Sequence, residues 1–516
     1  MSSPAEAGLR PPRSVAAAVD RVRQADSIWW LVIVAAAFSI AQLALVTPKL
    51  GLSWDETVYI SQFSGHAPAS YFDPARARGI PLLVAPLTML TSSVLALRIY
   101  LSLASGLGLF LALLTWRRFR PTWQLALAGV LFGGLWTTLY YGPQAMPDLW
   151  VALSSLAAVG FFLRAARGAT SASEEAPVQT MPAGSRPARH NWGALAGLTV
   201  SGAIAALVRP GDALYLAAVL GIAVLVVRQW RRWDLLAAVV IGFAAGAAEW
   251  VIEAYLRFGG PLNRLHEAGA EQGGFGFHLG LWDELRAVNG PTLCRPCTVG
   301  FRYPVLSAWW LALPVLVVLG VIAARHAGRL GSSVLAAACG LGLAFQYLFL
   351  INYAAPRFLL PAYALAAIPI ADAIGGLLTN VRRELRPPLI TLVAVVLGVQ
   401  LLIQATVLQH QVQEKISFLG DYTRIAADLR ALGVRPPCLI KGDQDIPIAF
   451  YAGCASAPGV TATGTAVDGT ATEPVAVLVA PGQPPPAFAR NWTLHQLPGI
   501  QSQLLRMNAY VAPGRS

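Results

Sequence analysis

Eleven apolar runs punctuate this chain, and arginines collect in every second gap between them. The runs fall near residues 28–46, 94–115, 122–140, 148–164, 192–208, 213–228, 235–254, 305–323, 331–351, 358–378 and 388–408. A helix needs about 20 apolar residues to cross the hydrocarbon core of a bilayer, and these runs approach that length. Cytoplasmic connections of membrane proteins carry the excess of Lys and Arg. With the N-terminus in the cytoplasm, that side receives Arg10, Arg13, Arg21 and Arg23, then Arg117, Arg118 and Arg120. Arg164, Arg167, Arg186 and Arg189 follow, then Arg228, Arg231 and Arg232. Arg325, Arg329, Arg382, Arg383 and Arg386 complete the series. The opposite orientation would put all of them outside. The expected architecture is therefore an all-α polytopic membrane protein of about 11 transmembrane helices.

Composition leads to the same class. The chain is 56% hydrophobic and 12% charged, whereas an ordinary soluble domain carries about a quarter charged residues. Its net charge of +12 belongs to the basic inner loops, so nucleic acid is excluded as a partner. Only Lys49, Lys415 and Lys441 among the 38 basic residues are lysines. That bias, with abundant Ala and Gly, suggests a bacterial genome and hence a bacterial plasma membrane.

Three units are expected. Residues 1–27 are polar, basic and Pro/Ala-rich, and read as a disordered cytoplasmic N-terminus. Residues 28–410 form the transmembrane body, with an inner Ser/Ala/Pro/Gly-rich loop at 165–191. Residues 411–516 form a small extracytoplasmic α/β domain. In it, 421–432 reads as a helix, 438–443 as a strand, 447–451 as a helix start, 475–480 as a buried strand and 504–512 as an edge strand. Residues 455–473 read as a loop.

Four of the five cysteines lie on the outer, oxidising side, which suits disulfides Cys294–Cys297 and Cys438–Cys454. Cys294-Arg295-Pro296-Cys297 also has the spacing of half a zinc site or a redox motif. No second such motif exists, and His278 is the nearest upstream His. His266, Glu267, Glu271 and His278 in the same long loop are possible divalent-metal ligands. Their bland reading is a solvated acidic loop, which is favoured, so no metal and no cofactor is assigned.

The outer face holds the chemistry. Trp54-Asp55-Glu56-Thr57-Val58-Tyr59 leaves the first run with two adjacent carboxylates, and ionisable groups beside a bilayer are costly. Asp148 and Asp212 open later runs on the same face, and Arg98, Arg209 and Arg357 sit at its boundaries. A boundary arginine by itself reads as snorkelling to the headgroups. Three beside carboxylates suggest more, because guanidinium is the preferred bidentate partner of phosphate. A lipid-linked phosphate lies at that depth, and a carboxylate nearby can deprotonate an acceptor hydroxyl. These parts describe sugar transfer from a polyprenyl-phosphate donor.

At this point the chain resembles the membrane glycosyltransferases of the GT-C fold, nearest the protein O-mannosyltransferases and the lipid A aminoarabinose transferases. Trp54 to Tyr59 looks like the acidic first-loop motif of that family, and Arg98 matches an arginine after its interfacial helix, here the apolar stretch Leu82–Leu90. Met146-Pro147-Asp148-Leu149 is similar to its second-loop element. Pro356-Arg357-Phe358-Leu359-Leu360-Pro361 is similar to an element before a late span. The likeness covers roughly 28–230 and 350–380, is weak over the long loop and is absent from the tail. It implies an inverting transfer on the extracytoplasmic face, with Asp55 as general base and Glu56 structural or assisting. Arg98 and Arg357 are implied for donor phosphate or loop anchoring and Asp148 for positioning; Arg209, just before Pro210, suits phosphate binding but matches no family motif, and Tyr59 is a further positioning candidate. The chain departs where relatives carry His- or Lys-Pro-Pro and it has Arg78-Gly79-Ile80-Pro81. The sugar, with mannose and arabinose both open, and the acceptor, whether glycan, lipid or protein, are not given. Alternatives are a polytopic transporter or lipid flippase, against which no internal repeat is seen, and a noncatalytic cell-envelope scaffold.

Overall fold

The computed structural model describes residues 27–48, 50–167, 191–274, 276–298, 300–301, 304–457, 473–502 and 505–513. The expected disordered N-terminus, most of the inner loop at 165–191 and most of the loop at 455–473 lie outside the described residues.

The chain is a multi-pass membrane protein with a small sheet-containing unit towards its C-terminus. Among the described residues, seven helices are long and apolar enough to cross a membrane. These are α4 (Val94–Leu114), α7 (Pro147–Arg167), α10 (Trp233–Arg257), α13 (Pro304–His326), α14 (Leu330–Phe349), α15 (Leu360–Asn380) and α16 (Arg386–Ala431). Shorter apolar helices occupy the other expected spans: α1 (Trp29–Leu45), α5 (Thr122–Gly133), α8 (Trp192–Val208) and α9 (Pro210–Val226). The run at 122–140 is not one helix. It breaks after Gly133 and resumes as α6 (Trp136–Tyr141), at the Gly133-Gly134 pair where backbone freedom is greatest. Helix α7 is largely buried and packs on α8, α4 and α15, while α8 packs on α10 and α13 on α15.

Basic residues of the connections expected on the inner side are not all exposed. Arg120 and Asp372 form an ion pair at 2.5 Å with neither side chain exposed. Ser333 Oγ donates to the same carboxylate at 2.5 Å, and Arg329 lies 3.6 Å from it. This lock joins α14 and α15 to the start of α5 at one end of the bundle. The candidate site lies at the other end.

There, three short elements follow α1: α2 (Trp54–Ser61), α3 (Gly79–Thr88) and the turn into α4. Helix α2 starts at Ser53, whose N–H and hydroxyl both donate to Glu56 Oε2, at 3.0 and 3.1 Å. This is the reciprocal N-terminal box formed by Ser and a Glu three residues on. Helix α3 begins at Gly79, where a Cβ would stand 2.6 Å from Val208 Cα. That close approach to the end of α8 accounts for glycine in the stretch that departs from the family pattern. The long loop after α10 carries α11 (Pro261–Glu271) and α12 (Leu281–Asn289).

Helix α16 runs unbroken for 46 residues. The expected last span and the expected tail helix at 421–432 are thus one element. Residues 409–415 are polar but contain no Gly or Pro, so nothing ends the helix between them. Onto it docks a five-stranded sheet of order β2-β1-β3-β5-β4. The strands are β1 (Leu439–Gly442), β2 (Ala455–Ser456), β3 (Val475–Val479), β4 (Thr493–Gln496) and β5 (Asn508–Val511), with helix α17 (Asp445–Ala452) crossing from β1 to β2. The last strand is interior and not the expected edge; β4, which sequence reasoning missed, takes the edge. Two acids of α16 hold the domain. Asp421 accepts from the amides of Gln501 and Ser502 at 3.0 and 2.7 Å, and Asp428 from that of Gly499 at 2.8 Å. Cys294 is bonded to Cys297, and Cys438 to Cys454.

Candidate active site

Asp55 and Glu56 are adjacent in sequence and opposite in environment. Glu56 is fully buried. Arg98, equally buried, grips both of its oxygens, through Nη1 on Oε1 and through Nη2 on Oε2 at 2.9 Å. Ala145 N–H adds a bond to Oε1 at 2.9 Å. The same guanidinium donates to the carbonyls of Gly51 at 2.6 Å and Pro143 at 2.9 Å. Arg98 thus ties the first loop to the 141–147 connection, and with no exposed surface it has no face left for a ligand.

Asp55 keeps 31% of its side chain exposed. Arg76 Nη2 donates to its Oδ1 at 2.8 Å, and Arg357 Nη2 to its Oδ2 at 3.2 Å. Burial alone would raise this carboxyl, but Arg76, Arg357 and Arg209 together outweigh burial and hold it below the ordinary carboxylate range. Tyr59, one turn on, lies under Arg76 with 5.0 Å from guanidinium carbon to ring centre. Arg76 also pairs with Asp73.

A second layer lies against this one. Arg357 Nε is 3.4 Å from Asp148 Oδ2, and Arg209 Nη1 pairs with Asp148 Oδ1. Arg209 Nε is 3.8 Å from Asp212. The two guanidinium groups approach one ring, Phe358, at 5.2 and 4.9 Å. Tyr347 Oη donates to Asp212 at 2.6 Å, and Gln346 binds the same oxygen. Local sequence explains the convergence. Pro147 and Pro210 each occupy the first position of their helix, a place that proline favours. Asp148, Asp212 and Asp55 each fall in a first turn, where the helix dipole favours negative charge.

The expected residues Asp55, Arg357, Asp148, Arg209 and Tyr59 therefore meet in one cluster, while Arg98 and Glu56 form a buried lock beside it. Two contributors were not singled out from sequence. Arg76 lay unassigned in an Arg-x-Arg stretch. Arg264, on α11, is fully buried and donates to the carbonyls of Pro74 at 3.0 Å, Arg76 at 2.9 Å and Trp250 at 2.7 Å. It also pairs with Glu253 at 2.9 Å, which holds Arg78 at 2.6 Å. Its signal was an arginine three residues after the proline that opens a helix behind Gly259-Gly260, in the long loop. Among the described residues no three His, Cys, Asp or Glu side chains converge to hold a metal ion. His278 pairs with Asp283 at 2.8 Å, and His266, Glu267 and Glu271 lie on α11.

No protein-family model matches the chain, and no curated protein matches it in sequence. Solved structures do. ArnT from Cupriavidus metallidurans, bound to undecaprenyl phosphate, aligns over 94% of this chain and 98% of its own at a TM-score of 0.61 and 13% identity. The chain has the GT-C fold seen in ArnT. The apo state of ArnT gives 0.60 at 14% identity, over 93% and 97% of the two chains. The oligosaccharyltransferase AglB from Archaeoglobus fulgidus, in complex with an inhibitory peptide and a dolichol-phosphate, gives 0.48 at 12% identity, over 83% and 64%, a likeness too loose to carry weight. Because ArnT aligns over nearly all of both chains, its fold accounts for the membrane helices and the terminal domain together.

Proposed function

We propose that this chain transfers a sugar from a polyprenyl-phosphate-linked donor to an acceptor hydroxyl on the extracytoplasmic face of the membrane, with inversion at the sugar carbon. The observation that carries this reading is Asp55: a partly exposed carboxylate whose arginine partner Arg357 belongs to a second pair, with Arg209, at a helix-terminal layer. Undecaprenyl phosphate in the ArnT structure supports the donor class.

In this mechanism Arg357 and Arg209 receive the donor phosphate. Arg357 turns its fork from Asp55 toward the phosphate, which removes one charge that depresses the Asp55 carboxyl and so makes it a stronger base. The acceptor hydroxyl donates to Asp55. As its oxygen bonds to the sugar carbon, its proton becomes acidic and passes to Asp55. The bond between that carbon and the phosphate oxygen breaks on the opposite face. The leaving phosphate gains a charge, which the two guanidinium groups stabilise more than they stabilised the bound donor. Asp148 and Asp212 keep both arginines aimed, and Glu56 with Arg98 fixes the start of α2.

The test is transfer by the full-length chain in liposomes, offered a panel of polyprenyl-phosphate pentoses and hexoses. Wild type consumes at least one donor, and Asp55→Asn consumes none while inserting and folding normally. Transfer retained by Asp55→Asn sinks the assignment of the base, and a panel left untouched by wild type sinks the donor class.

A further inference from the structure

The backbone that delivers Asp55 is held from two sides. From the membrane side Arg98 donates to Gly51 O. From the other side comes the terminal domain. The amide of Leu52, itself a fully buried residue, donates at 3.0 Å to the hydroxyl of Tyr451 on α17. Tyr451 is in turn fixed. Arg430 of α16 donates to its carbonyl at 2.7 Å, and the Cys438–Cys454 bond joins the segment just after α17 to the start of β1. Phe450 meets His66 of the first loop edge-on, with ring centres 5.6 Å apart. Gly51 lies flat against α16, where an added Cβ would stand 3.0 Å from Leu419 Cβ and 3.1 Å from its carbonyl oxygen.

We infer that Tyr451 is a positioning residue for Asp55, and that through it the terminal domain belongs to the framework of the active site. The inference rests on the reading of Asp55 as the base. Its physical basis is the Leu52 amide. A buried N–H left without an acceptor has lost its hydration with nothing to replace it. Without the phenol oxygen the segment relaxes toward another acceptor and turns the start of α2. Asp55 then shifts relative to the acceptor hydroxyl, and a displacement of about 1 Å is enough to cost on the order of a hundredfold in rate. Arg209 and Arg357 are aimed by Asp148 and Asp212, and Arg357 leaves Asp55 when it takes the phosphate, so phosphate binding does not depend on Tyr451.

The test uses the full-length chain with Tyr451→Phe, which keeps the ring and removes one oxygen. Gly51→Ala, which pushes the same segment away from Leu419, is the second variant. Three quantities are read: hydrogen exchange of the amides at 52–56, affinity for polyprenyl phosphate without sugar, and turnover of the donor that wild type consumes. Both variants are expected to exchange these amides about tenfold faster and to turn over about tenfold more slowly, a change of about 1.4 kcal/mol in each case, with affinity within about twofold of wild type. Wild-type turnover in both variants, or a loss carried by affinity in place of turnover, overturns the inference. An active Asp55→Asn would refute the base itself. An inactive Asp55→Asn beside a fully active Tyr451→Phe refutes only the positioning role.

Discussion

Arg98 holds Glu56 with two nitrogens, and neither side chain reaches solvent. Removing one member of such a pair leaves the other charge buried and unpaired, at a cost of about 3–5 kcal/mol. Glu56→Gln should therefore lower the thermal stability of the purified chain by about that amount, and transfer per folded molecule should fall as the start of α2 loosens, though less than in Asp55→Asn. Adding Arg98→Met to Glu56→Gln should recover much of the loss, since the stranded charge goes with it. A double variant less stable than either single one would show that the pair is not the source of the cost.

Arg76 first, then Arg357 and Arg209, set the charge state of Asp55. Its carboxyl is held below the ordinary value of about 3.9, so it stays ionised throughout the range above that. A depressed carboxyl contributes stability that is present above its unfolded pKa and lost as pH falls through its folded pKa. Turnover by wild type should consequently be flat on the acid side down to about pH 5. In Arg357→Gln the acid limb of the turnover profile should move upward, toward the ordinary carboxyl value. Arg357→Lys should retain the acid limb yet lose about tenfold in polyprenyl phosphate affinity, because an ammonium lacks the fork. Profiles of turnover against pH and binding of the lipid phosphate separate these two effects.

Arg264 joins the long loop after α10 to the segment that carries Arg76. All its nitrogens are engaged in a fully buried position, two of them on carbonyls of that segment. Arg264→Ala should free residues 73–78 to proteolysis and lower stability by about 3 kcal/mol, given the loss of charge-assisted bonds and the buried acceptors left behind. Arg264→Lys should not rescue it, since one ammonium cannot reach the carbonyls of Pro74, Arg76 and Trp250 together. Limited proteolysis with mass mapping of the 73–78 peptide reads the outcome.

Asp445 opens α17 with one carboxylate oxygen that is buried and without a hydrogen-bond partner. Burial pushes its pKa up to about 7. The folded chain then binds a proton that the unfolded chain releases near pH 4, so this group lowers stability progressively from about pH 4 to about pH 7. Asp445→Asn should raise the unfolding midpoint at pH 8, by an amount on the order of 1–2 kcal/mol after allowing for its favourable place in a first helical turn. At pH 4 the two proteins should unfold alike. An equal gain at both pH values would show that the effect is not one of charge.

Much of this arrangement was legible because it is local. Asp55 and Glu56 follow a span, Asp148 follows a proline that starts a helix, and Arg357 precedes one; each has a signature within a few residues. The contacts that sort their roles are not local. Tyr451 and Leu52 are 399 residues apart, Arg264 and Pro74 190 apart, and Arg98 and Glu56 42 apart. No spacing rule links such positions, and burial, which separates Glu56 from Asp55, depends on everything packed around them. The fold shows the same division. Apolar runs announced the long helices, yet the break at Gly133-Gly134 could not be told from a helix that tolerates glycine. The join of the last span to the tail helix was hidden because polarity, unlike Gly or Pro, does not end a helix.

The unbroken α16 has a consequence for how this chain can vary. At 1.5 Å per residue its 46 residues form a shaft of about 69 Å, rooted among the membrane helices and carrying the terminal domain at its far end. Each residue of a helix turns its successor by about 100°. One residue inserted between Val412 and Leu419 would swing the domain around the shaft and carry Tyr451 away from Leu52, though no contact at either end had been mutated. Only changes near whole turns, three or four residues together, would return it to phase. The length of this helix is thus a tuned quantity, and its tolerance to insertion should be far lower than that of the loops it connects.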